Sequence, residues 1–154
     1  MLGGHPIRWW AVVALTALLA AFAAGAKTAV EPSVEELKAR LSSAAAGDRP
    51  RLCLQIAQRQ LTETDKFYAA TEIEKAQATL ADVVSYSEQA RDHAIQLHKQ
   101  EKQSEITVRQ MARKLTELMH TLPHDDQAPV RDAVNRLQRV RDDLLMAMFP
   151  KGIR

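Results

Sequence analysis

Fourteen positions between Ala76 and Leu122 keep an alternating four-then-three spacing: Ala76, Leu80, Val83, Ser87, Ala90, Ala94, Leu97, Glu101, Ser104, Val108, Met111, Leu115, Leu118 and Leu122. All but Ser87, Glu101 and Ser104 are apolar. A mean step of about 3.5 residues puts them on one stripe of a helix that packs against other helices. No glycine or proline falls between Arg51 and Leu122, so no strong breaker interrupts the stripe. The pattern predicts an all-α chain, an elongated antiparallel helical bundle resembling a coiled coil, with four helices and one long central helix over about 71–122.

Local signals place the other elements. Ser33-Val34-Glu35-Glu36 is a capping box after Pro32, in which the Ser hydroxyl accepts from the Glu36 N–H and the Glu36 carboxylate reaches back. It opens helix one, which Gly47 is expected to end as a left-handed cap. Asp48-Arg49-Pro50 opens helix two, because proline in the first turn lacks an N–H that would have no helical partner anyway. Helix two should run to about Ala70. Thr71-Glu72-Ile73-Glu74 reads as a second capping box, with Thr71 as the cap of the long helix three. Pro123 stops helix three, and helix four runs from about Ala128-Pro129 to Pro150, with Asp125 and Asp126 at its positive end.

A long third helix has a geometric consequence. About 50 residues span roughly 75 Å, whereas helices two and four, at about 20 residues each, span roughly 30 Å. Helices two and four would then lie in tandem along helix three. Helix one joins the first pair, but the second pair lacks a third helix and buries too little to offset its chain entropy. On that layout Met111, Leu115, Leu118, Val134, Leu137 and Leu144 need another surface, from a second copy or from a protein partner. The competing layout breaks helix three within the polar stretch Lys99-Gln100-Glu101-Lys102-Gln103-Ser104 and closes a compact bundle with no shortfall. Those residues are mostly good helix formers, which favours the continuous rod.

The first 26 residues change the picture of compartment. Arg8 is their sole Lys or Arg, an apolar run extends from about Trp9 to Ala24, and Ala24-Gly25-Ala26 offers small residues for signal peptidase. Cleavage after Ala26 is expected, with export to a bacterial periplasm or another extracytoplasmic space. The alternative is an uncleaved membrane anchor, for which a run of about 16 residues is short. Without the leader the 154-residue chain keeps about 128, the size of one domain, expected as a helical domain over 27–149 with a frayed tail over 150–154. Of the 21 basic and 19 acidic residues only Arg8 leaves with the leader, so the remainder is close to neutral. That disfavours nucleic acid as a partner, since phosphate neutralisation needs a basic face. The membrane is expected to be met only in transit.

Candidate chemistry is sparse. Glu117-Leu118-Met119-His120 matches one Glu-x-x-His element of a di-iron bundle, but that site needs two elements and two further carboxylates. Glu117, His120, His124, Asp125 and Asp126 are the weak metal candidates, with Pro123 spoiling the helical spacing of the two His residues. His93 and His98 read as surface positions. Met111, Met119, Met146 and Met148 suit flexible core, with haem held by one Met and one His as the alternative. Cys53, the lone cysteine, shares an apolar face with Leu52, Ile56 and Ala57 and reads as a small core residue. Arg131, Arg136, Arg139, Arg141, Asp142 and Asp143 read as a solvated face with local ion pairs. No acid, base and nucleophile set, cofactor motif or small-molecule substrate site emerges. The expected function is therefore that of an exported, non-enzymatic helical protein acting through protein contacts, as scaffold, adaptor or holdase-like chaperone. A bundle binding metal or haem through His or Met is the alternative.

Overall fold

The structure is a computed structural model and describes residues 30–151. The expected leader and its cleavage site, and the last three residues of the tail, lie outside the described residues. The chain divides after Glu31, and every helix among the described residues belongs to the unit that begins at Pro32. Its elements are α1 (Val34–Ser43), α2 (Arg49–Ala69), α3 (Ile73–Leu97), α4 (Glu101–Thr121) and α5 (Gln127–Met148), with short 3-10 turns at Ala46–Asp48 and His124–Asp126. The all-α bundle stands. The single long helix does not: the described residues hold five α-helices, and the stripe is divided at His98, Lys99 and Gln100.

The division is made by backbone conformation alone. His98 (φ 50°) and Gln100 (φ 64°) both adopt the left-handed region, where a side chain meets the neighbouring carbonyl at a cost of about 1–2 kcal/mol per residue. At the end of α3, the Lys99 N–H donates to the Ala94 carbonyl (3.2 Å) and the His98 N–H to that of Ile95 (3.3 Å). These two bonds are a Schellman motif built on histidine, where glycine is usual. Gln100 then starts α4 without a side-chain cap. Its Nε2 instead donates to the Gly47 carbonyl (2.7 Å), tying the α3–α4 turn to the α1–α2 turn.

Four helices pack side by side. α2 pairs along its length with α3, and α4 with α5, while α3 also lies against α5 and α2 against α4. Glu88 faces Arg136, and Arg91 faces Asp143, so α3 and α5 run in the same direction. Arg141 meets Glu105, so α5 is antiparallel to α4. The short helices α2 and α4 are thus neighbours across one bundle, not segments in tandem on a rod. α1 packs outside through Leu37, over Leu52 and Ile56, with Val34, Leu41 and Tyr86 at the margin.

The core is the stripe itself. Ala76, Leu80, Val83, Ala90, Ala94, Val108, Met111 and Leu115 are buried with Cys53, Leu54, Ala57 and Leu61 of α2 and Val130, Ala133, Leu137, Val140 and Leu144 of α5. Each large aliphatic side chain so buried contributes about 1.5–3 kcal/mol. This removes the shortfall expected of the second hairpin. Met111, Leu115, Leu137 and Leu144 are at most 2% exposed, and Leu118 and Val134 are partly buried against the same core. Met111, Leu115, Leu137 and Leu144 therefore serve the chain's own interior, with Leu118 and Val134 at its margin. The physical reason is the turn at 98–100, which brings α3 within reach of α5 and supplies the missing helices.

Three smaller expectations meet mixed outcomes. The α1 capping box forms: the Glu36 N–H donates to Ser33 Oγ (3.2 Å) and the Ser33 N–H to Glu36 Oε2 (2.9 Å). Gly47 is not a left-handed cap; no described glycine has positive φ, and α1 ends on an extended Ala44. Thr71 does not cap α3. It closes α2 at φ 62°, the Glu72 N–H donating to the Phe67 carbonyl (2.8 Å) and the Thr71 N–H to that of Tyr68 (3.0 Å), again a Schellman motif. A β-branched residue is poorly suited to that conformation. Thr71→Gly is therefore expected to raise unfolding stability by about 1 kcal/mol, read from the denaturant midpoint at constant slope; a lower midpoint contradicts the left-handed assignment.

Candidate functional site

The residues that chemistry singles out are spread over the bundle. Glu117 and His120 are exposed on the last turns of α4, and His124 and Asp125 are exposed in the following turn. Among the described residues no group of three or more His, Cys, Asp or Glu is placed to hold a metal ion. Glu117, His120, His124, Asp125 and Asp126 are accordingly not assembled into a site. The cause is Pro123, extended at ψ 150°, which turns the chain away from the α4 axis before His124. Asp126 bears instead on the Tyr68 hydroxyl, whose pKa is raised first by burial and then by that negative charge. Among the methionines, Met111 is core while Met146 is 47% exposed near the end of α5.

Cys53 is fully buried and free. Burial pushes its thiol up from 9.0 to about 11, against a smaller opposing influence of Arg49. A protonated, inaccessible thiol is a poor nucleophile. Native protein is expected to resist thiol reagents at pH 8, labelling only at the rate of unfolding; fast labelling without unfolding contradicts this. The shift also has a stability sign. Between pH 9 and about 11 the unfolded thiol loses its proton while the folded one keeps it, so stability falls as pH rises through that window. Cys53→Ala should flatten that part of the profile.

The polar groups that do converge are ion pairs between helices, and sequence spacing concealed them. Arg136 forks onto Glu88, with Nη2 at 2.8 and 2.9 Å from the two carboxylate oxygens and Nε at 3.1 Å. Arg141 Nε donates to Glu105 Oε1 at 2.7 Å, with Arg109 Nε at 3.7 Å from the same oxygen. Arg91 Nη1 donates to Asp143 Oδ2 at 3.0 Å. The charged face of α5 is therefore partly tertiary, where local pairs were expected. Glu105 is 6% exposed, and its arginine partner offsets the cost of burying a carboxylate. On the other side of the bundle Gln60 Nε2 donates to Asp82 Oδ2 (2.6 Å) and Thr64 Oγ1 to Thr79 Oγ1 (2.9 Å), joining α2 to α3.

The polar positions of the stripe behave unequally. Ser87 Oγ donates to the Val83 carbonyl at 2.7 Å. Ser104 Oγ and Glu101 Oε1 are buried with no hydrogen-bond partner; His98 Nδ1 stands 3.6 Å from Glu101 Oε1, beyond hydrogen-bond reach. Both orphaned atoms lie just after the α3–α4 turn. At the same end of the bundle, α5 finishes with Met146 and Phe149 exposed, the latter by 60%. Comparison with protein families, with curated proteins and with solved structures finds no match for this chain.

Proposed function

We propose that this chain is an exported, non-enzymatic helical protein that works by contact with other proteins, as a scaffold, adaptor or holdase-like chaperone. The observation that supports the reading is the exposure of Met146 and Phe149 at the end of α5. Water-facing methionine and phenylalanine together on one helix end are suited to docking, because aromatic and methionine side chains carry much of the energy of protein contacts. The leader-like first 26 residues support export. No helix among the described residues is long and apolar enough to cross a membrane.

The test is cross-linking in the exported fraction from a photoreactive residue at Phe149. The reading expects protein adducts at Phe149, one dominant species for a scaffold or adaptor and several for a holdase, lost with Met146→Glu while the helical circular dichroism is unchanged. No adduct, or a diffuse set insensitive to Met146→Glu, would reject the contact role. Recovery of the protein in the cytosol with Met1 attached would reject export.

A further inference from the structure

We propose that the turn at 98–100 is a hinge through which two copies of this chain exchange their α4–α5 hairpins. The proposal stands apart from the contact role above, since exchange can fail while a partner still docks at Phe149. Four observations converge on the turn. His98 and Gln100 hold left-handed backbone without being glycine, and short connections under strain favour exchange of elements between copies. The core stripe does not change phase across the turn. Ala90, Ala94, Leu97, Glu101, Ser104 and Val108 keep the four-three spacing of a single helix, so opening preserves the buried face on both sides. The segment contains no glycine or proline that opposes helix. Ser104 Oγ and Glu101 Oε1, in the first turn of α4, lack hydrogen-bond partners in the closed form, with only His98 Nδ1 at 3.6 Å from the carboxylate, so hydrogen bonding beside the turn is incomplete.

Opening makes α3 and α4 one helix over 73–121. One copy then supplies α1, α2 and α3 to a bundle that the other completes with α4 and α5, and the reverse pairing forms the second bundle. Every contact between helices is retained, including Glu88 with Arg136 and Glu105 with Arg141, but each pair now joins two chains. The bond from Gln100 to the Gly47 carbonyl is a closing contact that opening gives up.

Protein purified from cells expressing the full chain is unfolded in denaturant, refolded at high and at low concentration, and sized by light scattering. Wild type is expected to yield a two-chain species after refolding at high concentration. His98→Gly with Gln100→Gly favours the closed turn and should lower its yield about tenfold or more. His98→Ala with Gln100→Ala should raise it. Complementation identifies the exchange: Glu88→Arg in one chain and Arg136→Glu in another each mismatch their own monomer, yet a swapped heterodimer holds one native and one reversed pair. Co-refolding should give a folded two-chain species that neither variant forms alone. A dimer yield indifferent to the glycines, or a mixture no more folded or dimeric than its components, overturns the proposal.

Discussion

Leu115→Glu is expected to unfold the protein. Leu115 is wholly buried at the α4 face of the core, in the cluster that holds Met111, Val130, Leu137 and Leu144. Deleting such a side chain to alanine costs about 2–5 kcal/mol. A carboxylate at the same place adds a charge with no partner, at several kcal/mol more. The sum is of the order of the whole stability of a small domain, about 5–15 kcal/mol. The measurement is far-ultraviolet circular dichroism with a thermal scan. Loss of the cooperative transition is expected; a folded variant with a changed association state would instead restore Leu115 to a partner surface.

Arg141→Leu carries the second largest effect. It leaves Glu105, 6% exposed, with only Arg109 at 3.7 Å. Breaking a buried pair from one side costs about 3–5 kcal/mol; partial access of water to Arg141 and the nearby Arg109 place this case at the lower end. Glu105→Leu together with Arg141→Leu removes the orphaned charge and should recover most of the loss. Denaturant midpoints of the two singles and the double give the coupling directly. Strict additivity would show that the 2.7 Å bond contributes nothing to the folded state.

Much of the bundle was legible in the sequence because it rests on periodicity and caps. The stripe positions Ala76, Leu80, Val83, Ala90, Ala94, Val108, Met111 and Leu115 are buried as their spacing requires. Ser33 and Glu36 form their box, Pro50 opens α2, and Pro123 ends α4. The break at 98–100 was hidden because it depends on left-handed backbone at His98 and Gln100, residues whose propensities are ordinary for a helix. The stripe even continues in phase, so periodicity points through the turn. The available signal was the polar run from Lys99 to Ser104, which helix formers obscured. Thr71 misled for a related reason: a threonine followed by acidic residues resembles an N-cap, yet its backbone completes the preceding helix.

The candidate site was less legible. Pairs such as Arg136 with Glu88, or Arg141 with Glu105, join residues 48 and 36 positions apart, and no spacing rule connects them. The surface assigned to Met111, Leu115, Leu118, Val134, Leu137 and Leu144 followed correctly from a rod. Once the rod folds back, α5 buries against α3 as well as α4, and Met111, Leu115, Leu137 and Leu144 fall in the core.

In the monomer α3 and α4 lie in one bundle instead of forming a continuous helix. Spin labels on cysteines introduced at the exposed positions Gln77 and Glu117 test it in the monomer, with the native Cys53 too deeply buried to be labelled. The folded-back arrangement predicts a separation of about 30 Å or less, since adjacent helices lie about 8–10 Å apart, α3 and α4 face each other across the bundle, and the label arms add the rest. A separation near 60 Å, the length of about 40 residues of unbroken helix, would contradict it.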